Sequence, residues 1–431
     1  MRIARGTDRV VLAIALAAAA AGGVTRSAGA QAVFIEIPSM TEVLGISADG
    51  RTVVGFRQVG FDRIAVRWNA STGSNDLPDL PGGTNVSSAH AVSADGSVIV
   101  GQSNGTDGYR AVRWVHGQVM SLGDLPGGED ASAALGVSDD GMLIVGAGIP
   151  GGDVQSEAFF WTSGGGMVGL GFLPAFEDWS QAIAVSGDGT TIVGASISSN
   201  AADIIGPLCP IECYEEAFRV SNGGPMVGLY DPFSAVFPAY ALAASKDGSV
   251  IVGAGLNISS GVGEAFFATA TGVLGLGHLP GGFDSGAVDV SADGWTVLCR
   301  ADDGVSTGAA VWTFATGMRD LKTLLETAHG LDLTGWRLSF PVGMSADGNR
   351  ITGWTNTSPG GGRACWLVAL DGLPPLCPQD ISGDGAVSVI DLLDLLAAWG
   401  PHFDHLADFD ESGVVDVSDL LGLLGAWGPC P

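Results

Sequence analysis

The 431-residue chain carries 46 aspartates and glutamates against 18 lysines and arginines, a formal net charge of −28, and this excludes nucleic acid as a partner because no basic stripe is available to displace phosphate counterions. Sixty-eight glycines exclude a helical bundle and point to a turn-rich all-β protein. Six cysteines in 431 residues are too few for a disulfide-built scaffold.

Residues 1–30 read as a signal peptide. The basic start (Arg2, Arg5, Arg9) leads into an apolar run from Val10 to Val24 and then into Ser27-Ala28-Gly29-Ala30-Gln31-Ala32, which offers a small-residue cleavage site after Ala30 or Ala32. Four arginines and one aspartate leave with this segment, so the charge of −28 becomes −31. The mature chain is expected to be extracellular or on the cell surface, with no membrane span after cleavage, since no later stretch is long and apolar enough.

From residue 31 to 371 the sequence repeats. The phrase S-x-D-G followed by an apolar strand opens at Ser47, Ser93, Ser138, Ser186, Ser245, Ser291 and Ser345, which places its aspartates at Asp49, Asp95, Asp140, Asp188, Asp247, Asp293 and Asp347. That period is blade-sized. In the second copy Ala91-Val92-Ser93 and Val98-Ile99-Val100-Gly101 flank an Asp95-Gly96 turn, and Arg110 to Trp114 turns at His116-Gly117 into Val119 to Leu122 and Leu125-Pro126-Gly127-Gly128. Two hairpins per repeat predict a four-stranded antiparallel sheet. The seventh copy lacks a fourth strand, and Val33 to Pro38 at the mature N-terminus resembles one. The expected fold is therefore all-β, a seven-bladed β-propeller closed by an N-terminal strand, which removes an exposed sheet edge. The seven aspartates read as turn formers, because Asp-Gly is the sequence a tight hairpin demands.

Glu157-Ala158-Phe159-Phe160-Trp161 and Gly275-Leu276-Gly277-His278-Leu279-Pro280-Gly281-Gly282 resemble the motif of the extracellular HAF-repeat proteins, with Glu or Arg where that motif has His. The resemblance spans about residues 33 to 370 and implies a secreted or surface repeat protein. A second likeness, of S-x-D-G to the Asp-box of sialidase propellers, is confined to the phrase itself and lacks the spacing between Asp and Gly.

After a linker over residues 372–379, residues 380–431 form a separate calcium-binding unit with two tandem EF-hand-like loops. The template needs oxygen ligands at positions 1, 3, 5, 9 and 12, glycine at 6 and a carbonyl at 7. The first loop supplies Asp380, Ser382, Asp384, Ala386 by its carbonyl, Ser388 and Asp391, with Gly385 at the bend. The second supplies Asp408, Asp410, Ser412, Val414 by its carbonyl, Asp416 and Asp419, with Gly413. Two loops in matching register, opening at Asp380 and Asp408, predict two calcium ions. An amphipathic helix follows each, Leu392 to Trp399 and Leu420 to Trp427, stopped by Gly-Pro. Cys377 and Cys430 bracket the unit and are expected to form a clasp. Each loop with its exiting helix and Asp at position 12 resembles the type I dockerin domain, which implies attachment to a surface or scaffold protein. The positions that would name a cellulosomal cohesin hold Val389 and Ile390, then Val417 and Ser418, with no basic residue after them.

Nothing else has catalytic spacing. His402 and His405 read as solvent-exposed, Cys209 and Cys213 as a local disulfide in the fourth repeat, and Cys299 and Cys365 as buried thiols. The tryptophans ending the third strands read as core. The sequence thus favours a binding or structural module, with polysaccharide as a candidate ligand, over an enzyme; the alternative is a secreted polysaccharide-degrading enzyme, a glycoside hydrolase or lyase, carrying a dockerin. A hydrolase would need two carboxylates converging in a cleft.

Overall fold

The computed structural model describes residues 32–128, 131–151, 154–175, 177–201, 215–370, 379, 386–400, 407–409, 412 and 414–429. Seven four-stranded antiparallel sheets are arranged as a seven-bladed β-propeller. Blade 1 runs Glu42–Ile46, Thr52–Val59, Asp62–Asn69 and Gly73–Asp76 from the inner to the outer strand. The inner strands of blades 2 to 7 are Ser87–Val92, Ser132–Val137, Ser180–Val185, Val236–Ala244, Ser285–Val290 and Phe340–Met344. Blade 7 takes its outer strand from the segment that precedes blade 1: Val33–Ile37 pairs antiparallel with Ala364–Ala369, Val33 opposite Ala369 and Ile37 opposite Cys365. The ring therefore closes with Ala364–Ala369 paired on both sides.

Each S-x-D-G phrase is the turn between the first and second strands, and its chemistry repeats. In blade 2 the Ser93 hydroxyl donates to Asp95 Oδ1 at 2.7 Å, accepts from the Val98 amide at 2.9 Å, and Asp95 Oδ1 also accepts the Ser97 amide at 2.9 Å. Gly96 has φ +83°, and a Cβ there would lie 2.5 Å from Thr52 Oγ1 of blade 1. Glycine is thus required both by the left-handed backbone and by the neighbouring blade.

The turns also bond to one another. The Asp49 amide donates to the Ala94 carbonyl, Ala94 to Asp139, Asp139 to Gly187, Asp188 to Lys246, Lys246 to Ala292, Ala292 to Ala346, and Ala346 back to Ala48, at 2.7 to 3.2 Å. These bonds all run in one direction, and they close on themselves. A second set of ties lies farther out: the hydroxyls of Ser87, Ser132, Ser180 and Ser285 accept the amides of Ala65, Ala111, Ala158 and Ala265 on the preceding blade at 2.9 to 3.1 Å.

Between the blades lie apolar layers. Val54, Ala65, Leu77, Ala89, Val92, Ile99, Val112 and Trp114 fill one joint. The third-strand residues Trp68, Trp114, Trp161, Trp312 and Trp366 are at most 9% exposed, so they are core, as their positions predict. Leu-Pro-Gly-Gly forms the connector into the next blade, and a Cβ on its second glycine would collide with a carbonyl of that blade, 2.0 Å from Asn104 at Gly83 and 2.2 Å from Ile149 at Gly128.

The glutamates of the third strands are structural. Glu157, Glu216 and Glu264 accept the amides of Gly171, Tyr230 and Gly277, each at 3.0 Å, and so pin the chain leaving the fourth strand. One connector departs from the rest. The chain between the outer strand of blade 6 and the inner strand of blade 7 contains the helix Leu321–His329, capped by Asp320 accepting from the Thr323 amide and ended by Gly330 at φ 69°. Leu321, Leu325, Leu333 and Leu338 bury its inner side against blades 6 and 7.

Replacing Ser93 by Ala removes the acceptor of the Val98 amide, so a loss of about 1–3 kcal/mol is expected, the desolvation cost of a stranded donor. Gly96→Ala adds a steric conflict and should lower the melting temperature further than Ser97→Ala, which leaves the Ser97 amide on Asp95 in place. Equal melting temperatures for Gly96→Ala and Ser97→Ala would contradict this account of the turn.

Candidate functional site

The inner strands surround a central channel of about 310 Å³. Every inner strand carries a bulge at the same place, at Leu44, His90, Leu135, Ile183, Leu242, Val288 and Val342, where its register with the second strand slips. A bulge re-aims one residue. All seven of these residues line the channel, giving a collar of six aliphatic side chains and one histidine. The next residue on each strand is Gly45, Ala91, Gly136, Ala184, Ala243, Asp289 or Gly343, small in every blade but the sixth. At Gly45 the reason is contact, since a Cβ would lie 2.7 Å from the His90 carbonyl.

His90 is held by both ring nitrogens, Nδ1 at 2.9 Å from the Ala134 carbonyl and Nε2 at 2.8 Å from the Ser88 hydroxyl. A carbonyl only accepts, so Nδ1 carries the proton and Nε2 accepts from Ser88. Burial, partly offset by the bond to Ala134, keeps this imidazole less basic than an ordinary histidine. Both nitrogens are committed, which removes His90 from the candidates for proton transfer or metal binding. Asp289 accepts the Met344 amide of blade 7 through Oδ2 at 2.7 Å and the Val290 amide through Oδ1 at 2.8 Å. Burial dominates over these bonds and pushes its carboxyl up to about 6.

At the turn end of the channel Asp139 of blade 3 and Lys246 of blade 5 approach to 3.3 Å. They bridge over Gly187 of blade 4, where a Cβ would lie 2.6 Å from the Asp139 carboxylate. Asp139 and Asp289 are the carboxylates among the channel's described lining residues. They stand three blades apart, and each is engaged by a protein partner. The turn aspartates are engaged as well: Asp247 and Asp293 are held below the usual carboxylate range first by the hydroxyls of Ser249 and Ser291. The channel wall therefore offers an apolar collar with two polar interruptions, rather than an acid–base couple. Cys299 and Cys365 are buried and free; burial pushes the Cys365 thiol up to about 12.

The C-terminal unit has its own core of Val387, Leu395, Ala398, Ala407, Val415 and Leu423. Its helices are Val389–Ala397 and Val417–Gly425, each beginning upstream of the start that hydrophobic spacing alone indicates. The cause is visible in the second: Asp416 caps the helix and Asp419 returns to the Asp416 amide at 2.9 Å, a reciprocal capping box. Of the first-loop residues, Asp380, Ser382 and Asp384 lie outside the described residues. Ala386 sits in the short strand Ala386–Val387, paired with Gly428–Pro429, and the Ser388 amide donates to Asp391 Oδ2 at 2.7 Å. In the second loop Asp410 lies outside the described residues. The Ser412 amide donates to Asp408 Oδ1 at 3.0 Å, the Ser412 hydroxyl to the Val414 carbonyl at 3.2 Å, and the Phe409 amide to Asp419 Oδ1 at 2.6 Å. Gly400 and Val415 join the two halves through reciprocal backbone bonds.

Asp391, Asp408 and Asp419 are 0%, 8% and 1% exposed, and the sequence beyond Arg363 contains no lysine or arginine. Carboxylates, a serine hydroxyl and loop carbonyls are the kinds of donor that a hard divalent cation takes. Among the described residues no group of three His, Cys, Asp or Glu side chains is poised around a metal position. Cys377, Cys430, Cys209, Cys213, His402 and His405 all lie outside the described residues. No described helix is long and apolar enough to cross a membrane.

No protein-family model matches this chain, and no curated protein matches it by sequence. Solved structures do. An oligogalacturonate lyase in complex with manganese matches at a TM-score of 0.51 and 11% identity over 79% of this chain and 90% of that one. The β-propeller domain of the trilobed protease from Pyrococcus furiosus matches at 0.49 and 11% identity, over 79% and 94%. An oligogalacturonate lyase from Vibrio parahaemolyticus matches at 0.49 and 10% identity, over 78% and 91%. The first of these likenesses agrees with the propeller and carries the fold alone.

Asp289 has a folded-state affinity for its proton, about 6, above its ordinary 3.8. The stability this raised value contributes is complete below about pH 3.8 and is lost as pH rises through about 6. Asp289→Asn keeps an oxygen for the Met344 amide and removes the charge. It should raise the melting temperature at pH 8 and have little effect at pH 4, as read by calorimetry across that range.

Proposed function

We propose that this chain is an exported β-propeller that acts as a binding module, held to a surface or scaffold partner by a calcium-organised, dockerin-like C-terminal unit. The HAF-type likeness of the repeats and the signal-peptide pattern support export. The observation that carries the attachment is an apolar stripe written twice. Val389, Leu393, Leu396 and Trp399 on one helix and its end are matched on the second by Val417, Leu421, Leu424 and Trp427, and all eight are 43% to 64% exposed. Single exposed apolar residues need no explanation, but a duplicated set at identical offsets is a surface suited to a partner.

In this reading two calcium ions sit in the two loops, on Asp380, Ser382, Asp384, Ala386, Ser388 and Asp391 and on Asp408, Asp410, Ser412, Val414, Asp416 and Asp419. With Asp391, Asp408 and Asp419 buried and no basic side chain in the sequence of the unit, bound calcium supplies the positive charge that the unit lacks and couples to folding. The propeller is the recognition part. Its channel carboxylates are each tied to a protein partner, which favours binding over hydrolysis by a converging pair.

Calcium at about 100 times its dissociation constant should stabilise the unit by about 2.7 kcal/mol per site. Trp399 and Trp427 report on it: chelator should shift their emission and lower the unit's unfolding transition while leaving the propeller transition in place. Asp391→Ala and Asp419→Ala should each abolish one of the two binding events in calorimetric titration. Identical unfolding with calcium and with chelator would sink the calcium reading.

A further inference from the structure

On one face the blades are joined by short connectors, 77–86, 122–131, 170–179, 229–235 and 276–284, but the connector between blades 6 and 7 runs over 321–339 and is the longest of the set. Insertions into a repeat array fall on one face, and that face is often the binding face. Here the insertion builds a cleft of about 330 Å³ between the helix Leu321–His329 and the hairpin of blade 6 at 302–307, at the lower end of the size range of ligand pockets. Its wall carries Asp303, Asp320, Glu326, Lys322, Arg337 and Trp336.

All of these groups but the Arg337 side chain are held by contacts within the protein. Asp303 Oδ1 accepts the amides of Val305 and Ser306 at 2.8 and 2.7 Å. Asp320 is tied to the first turn of the helix at 2.7 Å. Lys322 and Glu326 pair at 2.9 Å along it. Trp336 packs edge-on against Phe34 at 4.7 Å between ring centroids, so the strand that closes the ring also braces the aromatic wall of the cleft. The Arg337 amide is anchored to the Thr357 carbonyl, while its side chain is exposed.

We infer that this cleft is the recognition site of the propeller and that its ligand is a neutral saccharide of one or two rings. This rests on the binding-module reading above and names the ligand class. An apolar ligand would displace water from the charged wall and return no hydrogen bond to it. A polyanion would meet three carboxylates and the field of a chain of net charge −28, and a small cation would meet Lys322 and Arg337. Sugar hydroxyls donate to carboxylates and accept from ammonium and guanidinium groups, so one uncharged ligand satisfies both signs. The C–H face of a pyranose then rests on the indole of Trp336, whose apolar body and polar edge suit such a half-wet contact.

Isothermal titration of the full chain with calcium present, using cello-, manno-, xylo- and malto-oligosaccharides and oligogalacturonate as the charged comparator, tests this. At least one neutral series should bind, oligogalacturonate more weakly. Arg337→Ala and Glu326→Gln, both on side chains outside the core, should each weaken binding about tenfold with unchanged melting temperature. Absence of binding by all neutral sugars, preference for oligogalacturonate, or full affinity in both variants would overturn the assignment. Failure here with the calcium-dependent unfolding of the C-terminal unit intact would leave the calcium-organised unit standing. Sugar binding with identical unfolding in calcium and in chelator would do the reverse. Hydrolysis of the bound sugar, lost in Glu326→Gln, would keep the site and overturn the binding-only role.

Discussion

The rest of the molecule depends on a closed circle of seven backbone hydrogen bonds between the S-x-D-G turns. A propeller has no single core, only layers between adjacent blades, so something must set the angle at every joint alike. The serine and aspartate side chains do this indirectly. They hold each turn in one conformation, so that its second or third residue presents an amide to one neighbour and a carbonyl to the other. Backbone groups at the channel mouth are thereby satisfied in pairs. Glycine completes the device, because the turn presses against the start of the second strand in the preceding blade.

Closure places a special demand on the seam between blades 7 and 1, where the circle must join the two ends of the propeller sequence. Several interactions converge there. Val33–Ile37 supplies the outer strand, the Ala346 amide meets Ala48, Arg350 donates to the Asp49 carbonyl at 2.9 Å, and Arg363 pairs with Glu42 at 2.5 Å. Arg350 occupies the place held by Thr52, Val98, Thr191 or Val250 at other joints. A long donor replaces a short side chain where the chain is not continuous. The exposed ion pair contributes little alone, and strand pairing carries the seam.

Much of this was legible in the residues. Seven phrases at blade-sized spacing, the Asp-Gly turn, the missing fourth strand of the last repeat and the buried tryptophans all follow from local chemistry that each repeat states again. The circle of turn-to-turn bonds was not legible, because backbone amides leave no mark on composition. The x of S-x-D-G is accordingly free to be Ala, Asp, Gly or Lys. The bulged collar escaped for a related reason: period-two patterning assumes a regular strand, and a bulge shifts Leu44 or His90 onto the channel without altering the alternation. The helix Leu321–His329 was hidden inside a repeat whose spacing marks it only as irregular. In the C-terminal unit the loop template located the candidate ligands, and the capping box of Asp416 and Asp419 explains why the helix starts inside the loop.

A ring of near-identical blades cannot, by its shared features, distinguish one direction across its face from another. Shared features are consumed by closure, as the turn serines and turn aspartates show. Specific recognition must therefore draw on departures from the repeat. Two of those in the described residues fall on one joint. Among them blade 6 alone has a carboxylate at the small-residue ring, Asp289, and alone is followed by a helix in the connector that leaves its outer strand. Asp289 fastens blade 6 to Met344 of blade 7, and the same two blades flank the inserted helix. The buried carboxylate thus braces, from the channel side, the one joint that the insertion wedges from the outside. A costly group inside a joint and an enlarged connector above it are two halves of a single modification to one seventh of the ring.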